Sequence, residues 1–373
     1  MSDFIRFVDK NNSTFYSTLK ARVEEYFKKN NLSKSANGLM YFKSFLYIGG
    51  MVTLYALLYT GWFSLWQMLG IVIFLGIFKA LIGFNVSHDA IHGAYSSKEW
   101  VNKLMSGTFY LIGANPYVWR ITHNTVHHMY TNIPEHDEDL EIAPMFIRLC
   151  DAGKKYKIQR FQHLYAFLLY GLASISWVFR KDFVKFFKKK IGHFDFSKKP
   201  AIEYFNLFFF KAVYYTLYVV FPLMFLEITW WQYLIGLFAM HLSMGLVLGL
   251  VFQLAHVVEG ISYPRTNEEG NIEDAWAAHQ MRTTANFGTK DRLTGFICGG
   301  LNNQIEHHLF PKVCHVHYPA ISDIVKQTAK EYGLPYIENK SFFTALASHY
   351  KMLKLFGPEA QKKINTAKVA NTV

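Results

Sequence analysis

Three short segments of this 373-residue chain hold side chains equipped for chemistry: His88-Asp89-Ala90-Ile91-His92, His123-Asn124-Thr125-Val126-His127-His128, and Gln304-Ile305-Glu306-His307-His308. They contain seven of the sixteen histidines. Neutral imidazole is the commonest protein ligand for first-row transition metals. On a helix, positions i and i+4 share a face, so His88 with His92, and His123 with His127, are each spaced to grip one ion from one side. Adjacent histidines point about 100° apart, which suits His127/His128 and His307/His308 to serving two different ions. One H-x-x-x-H on a solvated helix face carries little. Three such boxes, each beside an apolar segment, predict a two-metal site assembled from distant pieces. No cysteine falls inside the boxes, which argues against a structural zinc site of the thiolate kind.

Those boxes need elements to bring them together. The chain is 51% hydrophobic and 17% aromatic, with a net charge of +12 from 39 basic and 27 acidic residues. A basic balance suggests nucleic acid first. Here the basic residues flank long apolar runs, which fits a membrane protein with charged cytoplasmic loops and no nucleic-acid partner. Cys150, Cys298 and Cys314 are odd in number and irregular in spacing, so no disulfide framework is expected. The polar start of the chain does not read as a secretory signal.

The expected architecture is an all-α integral membrane protein: four transmembrane helices in two hairpins, with a cytoplasmic helical cap holding a di-metal site. Residues 1–38 read as an amphipathic arm, with Phe15, Leu19, Val23 and Phe27 at helical spacing. The spans are expected at about 39–60, 63–84, 204–226 and 230–252, each about 20 residues and so long enough to cross. Lys43 and Lys79 are expected to snorkel to one surface. Residues 101–112 and 161–179 are read as interfacial helices. If 161–179 crossed the membrane alone, the third box would be separated from the first two. Residues 331–373 are read as a C-terminal cytoplasmic tail. Both hairpin tips lack Lys and Arg, which puts the termini, boxes and long loops on the cytoplasmic side. His256 emerges just past the fourth span and joins the candidate ligands. His241, inside that span, reads as a satisfied polar residue; Cys314-His315-Val316-His317, His163, His193, His279 and His349 are not assigned to the metal site. The acidic stretch from Glu135 to Glu141 is either a solvated loop or a source of carboxylates that tune the ligands from behind.

The order H-x-x-x-H, H-x-x-x-H-H, Q-x-x-H-H between two pairs of spans resembles the membrane fatty acid desaturases. The surrounding residues do too: His92-Gly93-Ala94-Tyr95-Ser96, His127-His128-Met129-Tyr130-Thr131-Asn132, Arg282-Thr283-Thr284-Ala285-Asn286-Phe287 and Asn302-Asn303-Gln304 through Phe310-Pro311. The resemblance covers residues 40 to 330, with Gln304 as in the front-end, Δ6-like type. It implies two iron ions, oxygen as oxidant, and a double bond introduced into a fatty acyl chain of a membrane lipid or acyl-CoA. Carried over by position, the ligands are His88, His92, His123, His127, His128, His256, His307 and His308, with Gln304 either ligating or holding a metal-bound water. The fused cytochrome b5 motif His-Pro-Gly-Gly of many front-end relatives is absent, so a separate electron donor is expected, a ferredoxin or cytochrome b5 with its reductase. Hydroxylation of an alkyl chain or sphingolipid is the alternative on the same scaffold. A metal-binding receptor without redox turnover fits less well, because only His241 lies deep in a span. Arg120, Lys154 and Lys155 are candidates for headgroup contacts.

Overall fold

Apolar residues at helical spacing dominate the chain. The computed structural model, which describes residues 5–10 and 12–357, is accordingly built from helices plus two minimal strand pairs. Helix α1 (Phe15–Lys29) buries the four residues whose spacing predicted it, Phe15, Leu19, Val23 and Phe27. The 20-residue α2 (Gly38–Leu57) starts at Asn37, whose side chain accepts from Met40 N. It is followed by α3 (Leu65–His92), which passes through a π turn at Gly83–Ser87 and carries the first box on its last turn. Gly93 ends it at φ 75°, a left-handed conformation that glycine adopts without a Cβ clash. Two short helices follow, α4 (Glu99–Ser106) and α5 (Thr108–Leu111). Helix α6 (residues 116–130) is π-helical over Arg120–His127, where most of the second box lies.

Helix α7 (residues 162–187) joins Gln162–Ser176 to Asp182–Phe187 through a π turn at Trp177–Lys181. After it come α8 (Ala201–Phe225) and α9 (Trp230–His256), then α10 (Trp276–Thr283), α11 (Arg292–Cys298) and α12 (Gln304–Leu309) with the third box. Two helices close the described chain, α13 (Tyr318–Glu331) and α14 (Phe342–Phe356). The strands pair antiparallel at Lys190–Ile191 with Phe194–Asp195, and parallel at Asn286–Phe287 with Glu338–Asn339.

Among the described residues, three helices, α3, α8 and α9, are long and apolar enough to cross a membrane. Helix α2 matches the expected first span in length, but Lys43 and its tyrosines dilute its apolar character. Both lysines expected to snorkel do something else. Lys79 is fully buried; its Nζ donates to Tyr214 Oη at 2.7 Å and lies 3.6 Å from the Tyr218 ring centroid. Lys43 is also buried, 2.7 Å from His315 Nε2. Internal acceptors reach these ammoniums before the surface does.

The first part of α7 packs along the C-terminal half of α9. Gly171 lies against Gly245, whose Cβ, if present, would meet the Gly171 oxygen at 2.2 Å. Ser174 Oγ donates to His241 O at 2.7 Å and lies 3.0 Å from His241 Nδ1, so His241 is satisfied internally. The second part of α7 follows the start of α8: Asp182 pairs with Lys211 at 2.9 Å, and Phe186 meets Tyr204. Both ends of α7 therefore lie at the same end of the α8–α9 hairpin. Residues 342–356, within the expected tail, form α14, which packs on α7 and α9 through Met352, Leu353 and His349. The rest of that tail, from residue 358, lies outside the described residues, as do residues 1–4 and 11.

Candidate metal centre

All eight candidate imidazoles are buried and gather at the ends of α3 and α9. Their ligand atoms form close sets, with all atoms of a set within 4.8 Å of one another. One set joins His88, His92, His123 and His307; a second joins His127, His256 and His308; a third joins His128, His307 and His308. His307 joins the first set and His308 the second, as neighbours about 100° apart on a helix can, and both meet His128 in the third. His123 belongs to the first set and His127 to the second, although the two also close on each other with Asp139, and His128 comes near His123 as well. The π turn explains it: an i→i+5 repeat brings the fifth residue onto the same face, so His128 swings toward His123 and their Nε2 atoms stand 3.2 Å apart. The His128 ring is also stacked on His308, with centroids 4.3 Å apart, placing it between the two groups.

Hydrogen bonds behind the rings fix which nitrogen faces inward. His127 Nδ1 lies 3.0 Å from Asp137 Oδ2, and His308 Nδ1 lies 2.8 Å from Gln280 Oε1. His307 Nδ1 lies 3.2 Å from Tyr318 Oη, and His256 Nδ1 lies 3.4 Å from Thr283 O. With Nδ1 occupied as a donor, each Nε2 keeps its lone pair for the interior. The inward atoms His88 Nε2, His92 Nε2 and His307 Nε2 are buried without any hydrogen-bond partner. Orphaned buried nitrogens are costly unless something binds them, and a cation shared by several neutral imidazoles is what this donor set fits.

Electrostatics keep four of the rings in the ligand form. Burial, reinforced by neighbouring imidazoles, holds His123, His128, His307 and His308 well below the ordinary histidine pKa. For His127, burial opposes the charge, but the attraction of Asp137 outweighs it and raises the pKa. Gln304 Nε2 lies 2.8 Å from His256 Nε2 and 3.3 Å from His308 Nε2, with its Oε1 buried and unpartnered. The amide therefore closes one side of the second set.

Several supporting residues have no periodic signal in the sequence. Asp137 sits in the acidic stretch that reads equally as a solvated loop. Asn132, at φ 56°, ends α6 and donates to His256 O and Thr283 O at 2.8 and 3.2 Å. Gln280 Nε2 donates to His128 O at 3.1 Å, so one side chain of α10 holds the His308 ring and the His128 main chain at once. The only sequence hint for Asn132 and Thr283 is their place in the motif surroundings. Glu306, although inside the third box, turns away: Asn286 Nδ2 and Tyr336 Oη donate to it at 2.8 and 2.9 Å. His315 also has other work. Its Nδ1 meets Asp89 Oδ2 at 2.8 Å and its Nε2 meets Lys43. Asp89, Cys314 and His315 form a compact group in which the Lys43 ammonium already supplies the positive charge. Burial together with Lys43 pushes the His315 pKa down to about 4.

A cavity reaches the centre. It is lined by His123, His127 and His256 and extends between α6, α7, α9 and the acidic loop. An apolar cavity of about 280 Å³ lies toward the other end of α9, among Tyr55, Trp66, Tyr218, Trp231 and Met240, and no histidine lines it.

The fatty acid desaturase family model matches residues 39–340. The chain is 36% identical over 355 residues to an acyl-lipid (8-3)-desaturase of Physcomitrium patens, covering 95% of this chain and 74% of that protein. It is 33% identical to a sn-1 linoleoyl-lipid 6-desaturase of Synechocystis sp., covering 95% of this chain and 98% of that protein. A sn-1 linoleoyl-lipid 6-desaturase of Arthrospira platensis is 32% identical, over 91% of this chain and 92% of that protein. With the family's histidine boxes gathered into one buried cluster, the chain belongs to the fatty acid desaturase family and is an oxidoreductase of that kind.

Proposed function

We propose that the protein is an oxygen-dependent, front-end acyl desaturase that holds two iron ions and inserts a double bond into a fatty acyl chain of a membrane lipid. The observation that carries this reading is the cluster of eight buried imidazoles, of which His88, His92 and His307 turn unpartnered Nε2 atoms inward. The acyl-lipid substrates named for the relatives support the substrate class. In this reading, His88, His92, His123 and His307 hold one iron. His127, His256 and His308 hold the other, with His128 beside both and Gln304 at the open side of the second. An iron pair held there supplies the oxidising power that side-chain acid–base chemistry lacks against an unactivated methylene C–H bond.

The protein's own tasks are positioning and exclusion of water. Asp137, Gln280, Tyr318 and Thr283 hold four imidazoles with Nε2 inward. Trp119, stacked on His123 at 4.1 Å, Trp177, Leu248 and Phe252 give the cavity apolar walls, which suit a methylene chain and keep the centre dry.

We read α2 as the fourth span, in a hairpin with α3, and α8–α9 as the second hairpin. The charge-poor tips and the basic run Arg180–Lys190 at the end of α7 support cytoplasmic termini and a cytoplasmic metal centre. Both ends of α7 lie at one end of the α8–α9 hairpin, which supports an interfacial helix that does not carry the chain across. Electrons come from a separate carrier, a ferredoxin or cytochrome b5 with its reductase. The test is gas chromatography–mass spectrometry of lipids from a host expressing the wild type or His128→Ala. New double bonds with the wild type, lost in the variant, are expected; an unchanged wild-type profile with a competent reductant present refutes the proposal.

A further inference from the structure

The cavity beside the metal centre has two chemically different ends. Ala173, Trp177, Lys181 and Lys185 of α7 follow one another at four-residue spacing and all line it. At the Ala173 end α7 packs on α9, which contributes Leu248 and Phe252. The Lys181 end adjoins the acidic loop, where Lys185 pairs with Glu138 at 2.9 Å. Lys188 also pairs with Glu138, and Lys211 pairs with Asp182. Among the described residues, Lys181 makes no hydrogen bond or ion pair, although it is half-buried. Burial, with Lys185 adding to it, pushes its pKa down to about 8. A half-buried ammonium that lines the cavity and has no protein acceptor is free to take one from a ligand.

We propose that Lys181 receives the carbonyl oxygen of the substrate's acyl ester, so that the methylenes at the metal centre are counted from the carboxyl end. This rests on the acyl-lipid reading above. A neutral acceptor fits here: Glu138 and Asp182 are already neutralised by Lys185, Lys188 and Lys211, and an ester carbonyl asks for one donor and no further positive charge. Beyond the anchor, Trp177 and Ala173 continue the cavity wall along α7. Arg120, Lys154 and Lys155, the basic residues singled out from sequence for headgroup contacts, are exposed and do not line this cavity.

The test is a binding measurement without turnover. The full-length protein in lipid nanodiscs, without oxygen or reductant, is titrated with linoleoyl phosphatidylcholine, its ether analogue lacking the carbonyl, and linoleoyl-CoA. Wild type should bind the ester about tenfold more tightly than the ether, the value of one charge-assisted hydrogen bond. Lys181→Met should abolish that preference and Lys181→Arg should retain part of it, both with wild-type iron content. In the working enzyme, Lys181→Met should also spread the new double bond over neighbouring positions. Equal binding of ester and ether by wild type, or an undiminished ester preference in Lys181→Met, overturns the proposal. So does a preference for the CoA ester that disappears in Lys181→Met, which would assign the lysine to phosphate. A Lys181-dependent ester preference in a protein that forms no double bonds would sink the proposed reaction and leave this binding site standing.

Discussion

Asp137→Asn is the sharpest probe of how the chain shapes its metal centre. Asp137 is buried and takes three donors: His127 Nδ1 at 3.0 Å, Asn132 N at 2.9 Å and Asp139 N at 3.0 Å. Asparagine keeps the shape but has one acceptor oxygen and no charge. At least one donor must then face an NH2 group, and His127 loses the attraction that raises its pKa. A charge-assisted hydrogen bond of this kind is worth about 1.5–3 kcal/mol, in line with the roughly 10–100-fold loss of metal affinity seen when such outer partners are removed. Asp137 meets only one of the eight imidazoles, and His127 groups with His256 and His308 rather than with His88 and His92. The loss should therefore fall on one ion. Iron per chain, measured by plasma mass spectrometry across a chelator series, should drop from two to one at a chelator concentration that leaves wild type intact. Desaturation should fall with that first ion. Loss of both irons together, or a wild-type chelator profile, would refute the assignment of His127 and Asp137 to one half of the centre.

Two further outcomes follow from buried groups near the centre. Glu306→Gln should keep two irons and cost no more than about 1 kcal/mol of stability. Burial already raises the pKa of this carboxyl, and its partners Asn286 and Tyr336 lie away from the imidazoles. A large loss of iron in that variant would show that Glu306 reaches the metal after all. The second concerns acid stability. His349 takes a hydrogen bond from Tyr170 Oη at 2.9 Å, donates to Val257 O at 2.8 Å, and is held by burial at a pKa of about 4. Below its ordinary 6.5 the unfolded chain gains a proton that the folded state refuses. Its contribution is thus complete above pH 6.5 and declines as pH falls toward 4. Between pH 7 and 5 this amounts to about 2 kcal/mol. Thermal unfolding midpoints should fall less over that range in His349→Gln than in wild type; an equal fall would rule the mechanism out.

The chemistry was legible in the sequence because it resides in residue type and local spacing. Three histidine boxes and His256 name the candidate ligands without any knowledge of how the chain folds. The runs of about 20 apolar residues likewise announce α3, α8 and α9, since helix length and hydropathy are local properties. What tertiary structure alone decided is the division of labour. The π turn at Arg120–His127 moves His128 toward His123, and such a turn depends on packing that no periodic pattern encodes. Lys43 and Lys79 look surface-bound in sequence, yet His315 and Tyr214, hundreds of residues and over a hundred residues away respectively, take them inside. Asp137, Gln280, Tyr318 and Lys181 are ordinary polar residues in the sequence. They become specific only where the folded chain brings their single side-chain atoms within hydrogen-bond reach of an imidazole, or leaves one beside an empty wall of the cavity.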